Sequence, residues 1–219
     1  LGTPFWEASD PEELMTRIKV DARLYDQAKT ITYLSWYGGT PFKIYLDNPD
    51  LFAKVSEAER LQELFFSQVA PVARSWQEKV LNRAHQVFAV PGRPFELKYL
   101  QNPYGYRFCF YEAWKWDKKK KCKIFGAQAK DILSALPQST VAGKLIESLL
   151  DIREEEEEAF SWLRWPIHDS LLLEVPESRL GEAKKIIDIM QRPIPELQLS
   201  LEVGVRVGKN WGRMEEAGL

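Results

Sequence analysis

The sequence predicts an α+β protein, with a helical first part followed by a mixed, antiparallel sheet with packed helices. Three observations lead there. Up to about Gln86, apolar residues recur at helical spacing between good capping signals. From Pro94 onward, aromatic and β-branched runs alternate with Pro, Gly and Asn turn signals. Toward the end, an amphipathic helical stretch leads into a run that alternates apolar and polar residues.

The elements follow in order. Ser9 and Asp10, ahead of Pro11, Glu12 and Glu13, open a first helix. A second runs from about Ala22 to Trp36 and ends at Gly38-Gly39. Ser56, Glu57 and Glu59 start another, with Leu61, Leu64, Phe65 and Val69 as its apolar stripe; Pro71 breaks or kinks it. "PFELKYLQNPYGYRFCFYEAWKW" reads as two strands around a turn at Asn102-Pro103-Tyr104-Gly105. "FGAQAKDILSALPQSTVAGKLIESLLDI" is a helix with Pro137 inside it. "WLRWPI" and "SLLLEV" are strands, "SRLGEAKKIIDIMQR" is an amphipathic helix, and "LQLSLEVGVRVGKNW" is a closing strand.

With 219 residues there is chain enough for one large domain or two small ones. Two cysteines, Cys109 and Cys122, exclude a disulfide scaffold and read as reduced thiols; two histidines argue against a His-based zinc site. No apolar run approaches the roughly 20 residues of a membrane span. The opening "LGTPFWEASDPEEL" has neither the basic start nor the apolar core of a signal peptide. A cytoplasmic protein with no membrane partner is expected. The first residue is Leu, so a piece of something longer is expected too. The net charge of -2 hides a segregation: "KWDKKKKCK" is basic and "DIREEEEEAF" is acidic. Each is either a solvated face or a site.

Two constellations carry chemistry. Lys29, Tyr33 and Tyr37 share one helical face, ended by Gly38-Gly39. A cation for phosphate, two rings for a base or sugar and a glycine turn suit a nucleotide. The same spacing also suits an amphipathic helix with half-buried tyrosines and a snorkelling lysine. In "WLRWPIHDSLLLEV", Asp169 is a lone carboxylate in an apolar run, so it needs an arginine, water or a metal ion.

"AKTITYLSWYGG" closely resembles motif B of family A DNA polymerases, the bacterial DNA polymerase I group and its phage relatives. Further stretches match in the family's order. "NPYGYRF" resembles its Phe/Tyr-Gly-Arg loop and "LPQSTVAGKLIE" its glutamine-bearing palm helix. "HDSLLLEVP" resembles motif C and "VRVGKNWG" the terminal strand; the phage or virus-derived enzymes are the nearest in flavour.

The resemblance implies a fingers subdomain over 1–100, a β-hairpin and basic loop over 101–125, and a partial palm with motif C over 126–219. Lys29 would bind the triphosphate of the incoming nucleotide, Tyr33 would pack beside its sugar and base, and Tyr37 with Gly38 would complete the nucleotide site. Arg107, Lys130, Gln138 and His168 would meet primer-template DNA. Asp169, with Lys29 the catalytic pair, would ligate two Mg2+ ions. The reaction implied is addition of deoxynucleoside triphosphates to a primer 3′ end, in a bacterial or phage-infected cell.

The chain departs from the family in several places. No aspartate before Lys29 sits in an apolar strand pattern, so motif A, with the second carboxylate ligand, is expected on an upstream segment or a partner polypeptide that also carries the thumb. The family's Arg four residues before the lysine is Tyr25 here. Its palm-helix Arg and Asn are Lys130 and Ser134, and its motif C Glu is Ser170. The alternative is a non-catalytic DNA-binding or structural subunit derived from such a polymerase.

Overall fold

The computed structural model describes residues 21–86 and 97–217; the helix start at Ser9 and Asp10 lies outside them. The α+β class holds: α-helices accompany four small two-stranded sheets among the described residues. The chain divides into two compact units, one of residues 1–100 and 108–135, the other of 101–107 and 136–219.

In the first unit, α1 spans Ala22–Trp36, as the periodicity predicts. Asp21 Oδ1 accepts the Arg23 N–H at its start. Helix α2 (Pro41–Asp47) has Pro in its first turn, and the Thr40 hydroxyl accepts from Lys43 N at 3.2 Å. Helix α3 (Val55–Leu64) starts one residue before Ser56, and the Glu57 carboxylate accepts the Ala53 N–H instead. It runs into a π turn, Phe65–Val69, that ends before Pro71. The wider turn rotates the apolar stripe: Phe65 stays buried, but Val69, expected on the stripe, is 73% exposed. Helix α4 spans Ala73–Ala84.

The core here is Ile31, Ile44, Phe52 and Ala58, with Phe65, Ala70 and Ala73 beside Trp36. Two strand pairs follow. β1 (Leu100–Gln101) pairs with β2 (Arg107–Phe108), far shorter strands than the aromatic run suggests. β3 (Trp114–Asp117) pairs antiparallel with β4 (Cys122–Phe125), so the basic run forms a second hairpin.

Helix α5 covers Ala129–Glu155 with Pro137 inside it. After the short helix α6 (Glu157–Phe160) come β5 (Leu163–Ile167) and β6 (Ser170–Leu173), antiparallel, with an irregularity between Leu163 and Trp165. The expected helix over 178–192 begins as a 3₁₀ segment, Glu177–Glu182, and becomes α7 only at Ala183–Met190. Ile152, Ala159, Trp162, Ile186 and Ile189 form the second unit's core.

The acidic run proves to be a cross-linked face. Glu155 pairs with Arg192, Glu156 with Lys185, and Glu158 with Arg179, whose guanidinium also lies 5.0 Å from the Trp162 ring.

The closing strand is largely absent as a ladder. Among the described residues, the run pairs at β7 (Arg206–Val207), with β8 (Glu215–Glu216), and at a single antiparallel bridge from Leu199 to Ile194. Residues 201–207 alternate half-buried and exposed, as the sequence predicts. Alternation, however, specifies two faces and not a neighbour. Among the described residues, no strand hydrogen-bonds along 200–204. A groove of about 1440 Å³ runs beside this segment. Ser170 through Leu173 and Leu201 through Gly208 line it consecutively, where a strand's face would contribute only every second residue. Strand edges therefore form one part of its walls, and side chains of α5 and α7 form another.

Candidate functional site

The three motif B side chains are brought together on α1. Lys29 Nζ lies 5.9 Å from the Tyr33 ring centroid. The Tyr33 and Tyr37 rings stack 6.1 Å apart, within 1° of parallel. Lys29 and Tyr33 face solvent, Tyr33 being 50% exposed, so half-burial describes Tyr37 alone. Burial, then the neighbouring Tyr33, pushes the Tyr37 phenol above its ordinary range, which keeps it a neutral hydrogen-bond donor. Tyr25, one turn before Lys29, is exposed, while Arg23 pairs with Asp50 at 2.6 Å.

Two buried glutamines set the end of this column, and neither was visible in the motifs. Gln77 Nε2 donates to the carbonyls of Ser35 and Trp36, each at 2.8 Å. Gln62 Nε2 donates to the Gly39 carbonyl at 2.8 Å. They satisfy carbonyls that a helix end leaves without partners. Gly38 takes φ +76°, and a Cβ on Gly39 would sit 2.7 Å from the Leu34 carbonyl oxygen, so both glycines are required by the turn. The only sequence signal for Gln62 and Gln77 is a polar residue on an otherwise apolar helical stripe.

In the second unit, His168 and Asp169 form the two-residue tip between β5 and β6, with Ile167 opposite Ser170. His168 has φ +52°, in the left-handed region, at a hairpin position that usually takes glycine. Such a residue costs on the order of 1–2 kcal/mol. Both side chains are exposed. No arginine or lysine pairs with Asp169 among the described residues.

Magnesium binds through one or two carboxylates plus water and substrate phosphates. A single exposed carboxylate on a hairpin tip fits as one such ligand. Among the described residues, no three His, Cys, Asp or Glu side chains gather into a fuller metal cluster.

Arg107 is exposed in β2, where its Nε donates to Gln101 Oε1 at 3.1 Å. The turn before it is fastened to α5: Asn102 Oδ1 accepts the N–H groups of Tyr104 and Tyr106, and Asn102 Nδ2 donates to Ser139 Oγ at 3.1 Å. Arg107 is thereby held in the same unit as the exposed Gln138, the neighbour of Ser139. Lys130, also exposed, sits in the first turn of α5, within the first unit. Lys29, Tyr33, Tyr37, Gly38 and Lys130 thus belong to one unit, and Arg107, Gln138, His168 and Asp169 to the other. The sequence reading also missed Lys144, which is nearly buried, pairs with Glu147 at 2.8 Å, and lines the groove.

No helix among the described residues is long and apolar enough to cross a membrane. The chain is 27% identical over 194 residues to a thermostable DNA polymerase I of Thermus filiformis, a match covering 88% of this chain and 21% of that protein. Its fold is similar to the POL domain of Pol1 from M. smegmatis, solved in complex with DNA primer-template and dNTP. The TM-score is 0.57 at 18% identity, over 78% of this chain and 28% of that one. The chain therefore spans 21% and 28% of the lengths of these two relatives. The sequence model of DNA polymerase family A matches residues 12–213, nearly the whole length, and the chain belongs to that family.

Proposed function

We propose that this chain is the fingers and partial palm of a template-directed DNA polymerase, acting on primer-template DNA and deoxynucleoside triphosphates. The observation that carries this is the Lys29–Tyr33–Tyr37 column, stacked along one helix face and closed by Gly38-Gly39 in a member of this family. The structural relative's own ligands, DNA primer-template and dNTP, are carried to this chain on that basis.

In this reading, residues 1–100 are the fingers, 101–125 a hairpin and basic loop, and 126–219 the partial palm. The Lys29 ammonium meets the triphosphate as a point charge. The Tyr33 ring packs beside the sugar and base, and Tyr37 lies where the templating base enters. Arg107, Lys130, Gln138 and His168 meet the DNA. Asp169 is the residue that would hold Mg2+, and the ion would supply charge stabilisation for phosphoryl transfer there. An upstream segment or partner polypeptide brings the second carboxylate and the thumb. The groove bordered on two sides by β6 and 201–208 supports this, since a further strand has backbone groups to pair with along 200–204. Reaction in the cytoplasm of a bacterial or phage-infected cell accords with these substrates.

The test is primer extension by the chain with the upstream piece. Asp169→Asn should abolish turnover with DNA binding retained. Turnover surviving in that variant overturns the metal role. The departures at Tyr25, Lys130 and Ser134 favour a second reading, a non-catalytic DNA-binding subunit, which predicts no extension under any reconstitution.

A further inference from the structure

We propose that the tip of the β3–β4 hairpin is a single-stranded DNA-binding element; the hairpin's root packs on the end of the nucleotide column, where Phe125 lies against Gly38. Between Lys115 and Lys123 the chain carries six lysines and one aspartate. Lys118 to Lys121 form the loop joining Asp117 to its partner Cys122. This loop is built. Asp117 Oδ1 accepts the N–H groups of Lys119 at 2.8 Å and Lys120 at 3.1 Å, an Asx clasp. Lys121 closes it at φ +51°. The ammonium groups are therefore concentrated on one small tip.

Asp117, beside Lys120 and Lys115, offsets one of these six charges and leaves the rest. The acidic run is engaged by Arg192, Lys185 and Arg179, whereas none of the six lysines has an ion-pair partner among the described residues. Like charges held together repel, and a polyanion that neutralises them releases its own counterions. The basic field reaches the hairpin's root: His85 is pushed below its ordinary value, first by burial and then by Lys123 and Lys98.

Aromatic placement selects the kind of polyanion. Strand alternation puts Trp114 and Trp116 on one face, with Phe125 opposite Trp114 and Lys123 opposite Trp116. Trp114 is a structural anchor: its indole N–H donates to Asn82 at 3.0 Å and its ring lies 5.4 Å from Phe125. Trp116, nearer the lysines, is 59% exposed. A lysine tip beside an exposed indole offers a path for phosphates and a ring on which a base can stack. In a duplex the base faces are already stacked, so a single strand uses both features. The inference stands whether or not the chain catalyses.

The experiment is fluorescence anisotropy of the full chain with labelled oligothymidylate across a salt series. Circular dichroism verifies that each variant folds. Changing Lys118–Lys121 all to Ser should weaken binding and lower the slope of log K against log salt by about 0.7 for each lysine that meets a phosphate. Changing all four to Arg should retain binding. Trp116→Ala should weaken binding about tenfold, with the salt slope unchanged. Unchanged affinity and slope in the Ser variant overturn the proposal. So does an equal loss for blunt duplex and single strand with Trp116→Ala silent, and so does a tip that captures an acidic peptide but not the oligonucleotide.

Discussion

The Tyr104 ring lies directly on Gly143 of α5: a Cβ added to that glycine would sit 2.3 Å from Tyr104 Cδ2. The contact locks the turn that carries Arg107 to the helix that carries Gln138. In an open helix, Gly→Ala would stabilise by up to about 1 kcal/mol. Here the clash is with a fixed ring and wins. Gly143→Ala should destabilise by about 1–3 kcal/mol in urea unfolding. Adding Tyr104→Ala should relieve the strain, so the double variant is more stable than the two single effects sum to. Additive losses would mean that the ring and helix do not touch.

Gln77 makes a second prediction. It is buried, and its amide serves two carbonyls at the end of α1. Gln77→Ala strands them and should cost about 1–3 kcal/mol in unfolding free energy. It should also weaken nucleotide binding, because Tyr37 and the glycine turn hang on that helix end. Titration with a deoxynucleoside triphosphate reads this. Full affinity in the variant would place the binding column elsewhere.

Tyr33 tests the sugar contact. Tyr33→Phe in the reconstituted enzyme should raise discrimination against dideoxynucleotides by on the order of tenfold, or about 1.4 kcal/mol. The measurement is the ratio of dideoxy to deoxy incorporation on one template. An unmoved ratio removes Tyr33 from the sugar.

Alkali offers a fourth check. Burial first, then the Glu147 carboxylate, pushes the Tyr104 phenol from 10.0 up to about 12. The unfolded chain thus loses this proton before the folded one does. The stability linked to it is complete below pH 10 and disappears as pH climbs toward 12. Tyr104→Phe should make stability fall less steeply across that window. A denaturant midpoint measured at several alkaline pH values shows it.

How much of this could be read in advance depends on the distance over which each feature is specified. The α1 helix, its glycine stop and the stacked column follow from spacing within a few turns of chain. The left-handed tip at His168 sits between two runs that each read as strands. What escaped was specified at long range. Gln62 and Gln77 look like breaks in an apolar stripe until α1 is packed beside them. The acidic run looked like a solvated face or a site until Arg179, Lys185 and Arg192 were placed against it. The closing strand failed differently. Its alternation was real, but a ladder also needs an edge to pair with. The stripe through Val69 failed because a π turn shifts the phase of everything after it.

The unpaired run beside the groove also governs how this chain behaves in concentrated solution. An extended segment with free amides and carbonyls is a template on which any second strand can add, including one from another copy. Its outward positions are charged or bare, Glu202, Gly204 and Arg206, which gives an approaching copy little apolar surface to grip. Purified by itself, the chain should therefore remain dispersed when dilute and associate edge to edge as concentration rises. Anything that occupies the groove should return it to the dispersed state.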